Sequence, residues 1–307
     1  MARHSMVSYK WLEDRLKEYE TTMNESKTTS PADNAFKFYF DNPFERKIMN
    51  IEYSVLSNFH GQGFLAGNTE MHFRKGIEEG FDGFKADMRL SSDGVIVLCH
   101  DAGYTFTQDG RIGTFNQDKF TPIHEMPFSK IRDLQFEHPF EGQYLHPCTL
   151  DTMLALCEKH DVAAYLTLRA EPWRAEVAQK MVEHIRAHKM EHRTIINLYT
   201  GVKEAVDCVS SLLPGLVYCN TKYPDVQLTT ELIDSSAADG YKIICLNNHQ
   251  LETVTPEKHQ YAASKGIRIW TWGVSKAAEC AAHIAQGITG FQMCTRDVTN
   301  SVIAEMM

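Results

Sequence analysis

Residues 164–199 read AYLTLRAEPWRAEVAQKMVEHIRAHKMEHRTIINLY. Residues 164–169 are a short apolar run of strand composition, 174–188 are a helix-length amphipathic stretch, and 194–199 are a second β-rich run. A strand, a helix and a strand in that order need a crossover connection, which makes the two strands parallel. The unit repeats in both directions. Further strands are predicted at 55–60, 83–90, 216–220, 242–247, 267–272 and 290–295, with helices at 70–80, 150–160, 203–213 and 276–286. About eight such units in roughly 250 residues predict an α/β fold, a (β/α)8 TIM barrel closed between 55–60 and 290–295. Such barrels carry their chemistry at the C-terminal ends of the strands.

One run stands outside this alternation. Residues 95–100 are separated from 83–90 only by Ser91-Ser92-Asp93-Gly94, and Asp93-Gly94 is a two-residue hairpin signal. The run should therefore fold back antiparallel, and with Ser92 opposite Val95 it brings His100 opposite Asp87 on one face. Residues 101–147 lack a clear period and form a small insertion after the second strand, where His138, His146 and several aromatics stand to shape access. Residues 1–52 read as an N-terminal extension, with a polar helix-like stretch at 10–23, a Ser/Thr/Pro/Asn-rich break at 26–34 and an aromatic segment at 36–44. The barrel domain is then 53–307.

Composition narrows the partners. The 307 residues hold 31 Lys plus Arg and 40 Asp plus Glu, a formal charge of −9, so nucleic acid is not an expected partner. No apolar run approaches the roughly 18 residues of a membrane span, and residues 1–14 have no signal-peptide centre, so a cytoplasmic location is expected. The eight cysteines are scattered without a CxxC pair and read as buried thiols. No GxGxxG or GxxxxGK[ST] occurs. His188-Lys189-Met190-Glu191-His192 matches H-x-x-E-H, and His184, His188 and His192 share a face if one helix runs that far; a charged helix end away from the barrel mouth argues against a metal role.

The order Asn58-Phe59-His60-Gly61, Asn68-Thr69, Asp87, Asp93-Gly94 and His100-Asp101 resembles the glycerophosphodiester phosphodiesterase family, whose slots read His-Arg-Gly, Pro-Glu-Asn-Thr, Glu-x-Asp and His-Asp. Pro147-Cys148-Thr149-Leu150, Ile269-Trp270-Thr271-Trp272, Gly290-Phe291 and Thr295-Arg296-Asp297 extend the likeness over residues 55–298. The resemblance implies a hydrolase of lipid metabolism in which two histidines, here His60 and His100, act as general acid and base on a phosphodiester. Imidazole titrates near working pH and suits both roles. The family's phosphate-binding Lys falls at Arg169, whose planar fork suits a bidentate contact. Trp270 and Trp272 share a face of the seventh barrel strand, and the alcohol group of a substrate would lie against them.

The resemblance also implies Ca or Mg held by carboxylates, and here this sequence departs from it. Gly67, Lys85 and Thr167 occupy the family's acidic positions, leaving Asp87 as the one expected metal ligand. A hard dication usually takes more than one carboxylate. Glu70, Asp101 and Glu171 lie nearby in sequence but read as helix-start and loop acids. Lys85, two residues from Asp87 on one strand, would face the same side and supply a fixed positive charge to the phosphate. The expected ligand is a small phosphodiester or phosphate. The alternative reading is a catalytically inactive family member that binds a phosphorylated ligand or a protein partner.

Overall fold

A computed structural model of the chain describes residues 49–52, 57–58, 64–78, 81–168, 175–199, 203–274, 283, 286–288 and 290–293. Among them eight parallel strands form the barrel: β1 (Met49–Glu52), β2 (Gly83–Leu90), β3 (Ala163–Leu168), β4 (Thr194–Tyr199), β5 (Val217–Thr221), β6 (Ile243–Asn247), β7 (Arg268–Val274) and β8 (Gly290–Met293). Each pairs with the next, and β1 closes the ring by pairing with both β8 (Met49↔Gly290) and β2 (Ile51↔Gly83). The helices between them are α1 (Glu70–Glu78), α2 (Leu150–His160), α3 (Ala175–Ala187), α4 (Lys203–Leu212), α5 (Thr230–Ala238) and α6 (Pro256–Ser264).

Local chemistry sets the helix ends. Thr149, Thr229 and Thr255 cap α2, α5 and α6 by accepting hydrogen bonds from the N–H groups of Thr152, Leu232 and Lys258. Helix α2 stops at Asp161, which takes a left-handed conformation at φ 62°.

The period of two along each strand splits the core into two layers. Phe84, Ala86, Met88, Leu166, Leu168, Ile196 and Leu198 face outward against Phe73, Met153, Leu154, Met181, Val182 and Ile185 of the helices. Ala163, Tyr165, Ile195, Val217, Cys219, Ile243, Cys245 and Trp270 fill the barrel interior. Gly290 makes room for that filling, since a Cβ there would stand 2.1 Å from the Trp270 indole.

Two expectations need correction. The closing strand is Met49–Glu52, upstream of 55–60; Ser57–Asn58 instead pairs antiparallel with Phe64–Leu65 in a separate two-stranded sheet. A four-residue strand with alternate polar residues is too short to show a period, whereas the apolar start of 55–60 mimics one. The hairpin after β2 is also shifted by one residue. Met88 pairs with Leu98 and Leu90 with Ile96, and the N–H of Ser91 donates to the Val95 carbonyl at 2.9 Å. The loop is thus Ser92-Asp93-Gly94, with Gly94 at φ +84°, a three-residue turn with its glycine in the left-handed position. Cys99, not His100, lies opposite Asp87, its N–H donating to the Asp87 carbonyl at 2.9 Å. A one-residue slip exchanges the faces, so hairpin pairing is not what brings His100 toward the mouth.

The segment that follows has its own small core. Gly103–Tyr104 pairs with Thr121–Pro122, and Val97, Tyr104, Ile112, Ile123, Met126 and Ile131 pack together. The expected features of residues 10–44, the strand end 294–295 and Thr295-Arg296-Asp297 lie outside the described residues.

Candidate active site

Lys85 and Asp87 project from the interior face of β2 and form an ion pair, both side chains fully buried. Asp87 is in register with Thr167 of β3, and Thr167 with Asn197 of β4. From there a chain of uncharged groups crosses the barrel. The Asn197 amide donates to Thr167 Oγ1 at 3.0 Å, and Thr221 Oγ1 donates to Asn197 Oδ1 at 2.5 Å. The Tyr165 hydroxyl lies 3.1 Å from Cys219 Sγ and 3.2 Å from Thr221 Oγ1. Gln292 Nε2 donates to Tyr165 at 2.8 Å and to Cys245 Sγ at 3.2 Å. Burial, reinforced by the neighbouring Cys219, pushes Tyr165 and Cys245 well above their ordinary values, so both stay protonated.

The loop before α1 reaches into this centre. Asn68, buried at φ 58°, accepts the Asp87 N–H on its Oδ1 at 3.4 Å. Thr69 ties the same loop down, donating to the Ala66 carbonyl at 2.7 Å and accepting from the His72 N–H at 3.2 Å. Asn tolerates the left-handed conformation better than other residues with a side chain, which suits it to this corner.

His100 sits half-exposed at the end of the returning strand, its Nδ1 3.0 Å from Asp101 Oδ1. Nδ1 is thus the nitrogen that faces the carboxylate. Arg89 holds the strand end, donating through Nη2 to the His100 carbonyl at 2.7 Å and through Nε to the Cys99 carbonyl at 3.3 Å. Arg89 was not singled out from sequence, although its place two residues after Asp87 on the same face was available as a signal. Burial, with the charge of Asp101 second, pushes the Cys99 thiol up to about 12, so it stays an uncharged neighbour.

His100 and Asp101 also wall a cavity of about 280 Å³ between the loop at Ala66–Asn68 and the insertion. Leu98, Tyr104, Ile112, Phe115 and Phe136 supply its apolar lining, and Glu137 and His138 stand at it too.

The remaining expected residues are placed as follows. Trp270 is fully buried inside the barrel, stacked on Tyr165 with centroids 6.0 Å apart, and so belongs to the packing. Trp272, two residues on, is partly exposed and donates from Nε1 to the Lys222 carbonyl at 3.3 Å. Glu70 is exposed and paired with Arg74. His60, Arg169 and Glu171 lie outside the described residues. Helix α3 ends at Ala187, so His192 falls in a separate turn, while His188 bridges Asp151 (3.0 Å) and Glu158 (3.2 Å) of α2. Among the described residues no group of three or more His, Cys, Asp or Glu is arranged to hold a metal ion, and no helix is long and apolar enough to cross a membrane.

Comparison with known proteins completes the description. The sequence model of the glycerophosphoryl diester phosphodiesterase family matches residues 61–293. Solved structures of similar fold include a phosphodiesterase from Oleispira antarctica in complex with the product sn-glycerol-3-phosphate, with TM-score 0.68 and 15% identity over 88% of this chain and 99% of that one. A glycerophosphodiester phosphodiesterase from Parabacteroides distasonis gives 0.63 and 16%, covering 84% and 97%. That from Thermotoga maritima gives 0.59 and 17%, covering 83% and 97%. The uncharacterised Bacillus subtilis protein YqiK is 24% identical over 153 residues, 47% of this chain and 57% of its own length, so the match spans little more than half of that relative.

Proposed function

The chain belongs to the glycerophosphoryl diester phosphodiesterase family, and from that premise we propose that it cleaves a small phosphodiester at the C-terminal mouth of the barrel. Water attacks phosphorus, one imidazole of the His60 and His100 pair takes the water's proton, and the other gives a proton to the departing alkoxide as the P–O bond breaks. The products are a phosphate monoester and an alcohol. Arg169 holds the phosphate and Trp272 lies beside it, while Lys85 stays buried against Asp87 beneath the site. The sn-glycerol-3-phosphate in the Oleispira antarctica enzyme is a ligand of the class assigned here.

The observation that carries this reading is the pairing of His100 with Asp101 at a cavity whose floor leads, through Asn68, to the Lys85–Asp87 pair. A carboxylate on Nδ1 fixes the ring and directs Nε2 to the substrate, as a general base requires.

The described residues do not fit Ca or Mg. Asp87 is committed to the Lys85 ammonium, position 67 is glycine, and the Thr167 hydroxyl accepts from Asn197. Hard dications take several oxygen ligands, and an ammonium already fills the charge position beside the carboxylate. The Lys85 ammonium has no Lewis acidity and its charge is met by Asp87, so turnover is slow and insensitive to chelators. We place the reaction in the cytoplasm, with lipid-derived diesters as its substrates.

The test is hydrolysis of glycerophosphocholine with and without EDTA. Turnover unchanged by EDTA supports the reading. Strong inhibition reversed by magnesium or calcium overturns its metal-free part. Absence of turnover in both favours the second reading, a binding protein for a phosphorylated ligand or protein partner, to which Gly67, Lys85 and Thr167 at the family's acidic positions point.

A further inference from the structure

We propose that the cavity under the insertion receives the alcohol half of the diester, and that this alcohol is apolar and carries no negative charge. The proposal rests on the phosphodiesterase reading for its location and on the cavity itself for its chemistry.

Location comes first. The cavity shares His100 and Asp101 with the proposed proton-transfer site, and it is floored by Asn68, which is bonded to the backbone of Asp87. A diester whose phosphorus sits at His100 therefore has one ester arm pointing toward the insertion. At about 280 Å³ the space lies near the lower end of small-molecule pockets, roughly 300–1,000 Å³.

The lining decides the class. Leu98, Tyr104, Ile112, Phe115 and Phe136 present hydrocarbon and aromatic surface, whereas no Lys or Arg is among the described lining residues. The charged groups there are the Asp101 and Glu137 carboxylates, with His100 and His138 beside them. An anionic alcohol such as glycolate, or one carrying a second phosphate, would lose its hydration and face those carboxylates. A polyhydroxyl alcohol would leave most of its hydroxyls against hydrocarbon. An alkyl or aryl group gains from every carbon it buries.

The walls are also preformed. The Ile112 N–H donates to the Gln135 carbonyl and the Glu137 N–H to the Ile112 carbonyl, each at 2.7 Å, and Gly113 N–H donates to Thr105 at 2.9 Å. Ile112 and Tyr104 are anchored in the small core with Val97 and Ile123. Little ordering is left to offset the gain on binding.

The experiment uses the methyl, butyl, hexyl and carboxymethyl esters of sn-glycerol 3-phosphate, with glycerol phosphate release and calorimetric Kd as separate readouts. From methyl to butyl, kcat/KM should rise and Kd fall by about fourfold per methylene, the factor equivalent to ~0.8 kcal/mol. The carboxymethyl ester, whose alcohol is anionic, should be the poorest substrate. Thr114→Trp, at an exposed rim position of the same cavity, should flatten the dependence on chain length. Cleavage without chain-length dependence overturns this proposal and leaves the phosphodiesterase reading standing. A Kd slope abolished by Thr114→Trp, in a protein that cleaves none of the esters, upholds the cavity assignment and overturns the catalytic one. A flat series in both readouts, or preference for the carboxymethyl ester, overturns the cavity assignment.

Discussion

Lys85 and Asp87 stand two residues apart on one strand and neutralise each other inside the barrel, with neither side chain open to solvent. Taking two charges out of water is costly, and removing one partner leaves the other uncompensated. Lys85→Met or Asp87→Asn alone should each cost about 3–5 kcal/mol of stability, whereas Lys85→Met with Asp87→Leu should cost less than either single change. Urea unfolding of the three variants checks this. Single variants as stable as the parent would mean that water reaches the pair.

The hairpin after β2 depends on Gly94. Its φ of +84° is open to glycine, and an L side chain there costs roughly 1–2 kcal/mol. Gly94→Ala should lower the midpoint of thermal unfolding, and Gly94→Asn should lower it less, because Asn enters the left-handed region more readily. Around it, the Ser91 hydroxyl donates to Asp93 at 2.6 Å and the Phe128 N–H to the same carboxylate oxygen at 2.9 Å. These bonds, that from Ser91 first, hold the Asp93 carboxyl below its ordinary range and tie the insertion to the turn.

This turn marks the limit of what the sequence discloses. Strand β2 and strand β4 are legible to their ends because each is a β-rich run bounded by polar or glycine residues. The ion pair is legible as well, since residues i and i+2 of a strand share a face. Register is not, because Asp93-Gly94 suits a two-residue and a three-residue loop, and the choice reverses the face of every residue beyond it. The neutral chain from Thr167 through Asn197 and Thr221 to Gln292 is likewise hidden. Its members lie far apart in sequence and meet only when the barrel closes.

Acid sensitivity should centre partly on His259 of α6. Its imidazole is nearly buried, with Nε2 3.0 Å from the Gly287 carbonyl, and burial holds it below its ordinary value. The unfolded chain, with a histidine near ~6.5, then binds the proton more readily than the folded one. The contribution is complete above that value and is lost as pH falls from it toward the lower folded-state value. His259→Gln should be less stable at pH 8 yet show a shallower decline between pH 7 and 5. Parallel stability curves for the two proteins would remove His259 from the account.

The final prediction separates the roles of His100 and Asp101, which the 3.0 Å contact joins. If Nε2 of His100 moves a proton in the reaction, His100→Gln removes that transfer and lowers kcat by about 10²- to 10⁴-fold. Asp101→Asn keeps the size of its side chain but removes the charge that orients the ring, so kcat should fall by less. KM should change little in either variant, because the phosphate is assigned to Arg169. Both positions are half-exposed, so neither substitution should disturb folding, and unchanged thermal midpoints provide the control. Steady-state kinetics on one glycerophosphodiester decides the matter. A His100→Gln protein within threefold of the parent would show that the proton moves elsewhere, and a larger loss from Asp101→Asn than from His100→Gln would make Asp101 the acting base, with His100 as its support.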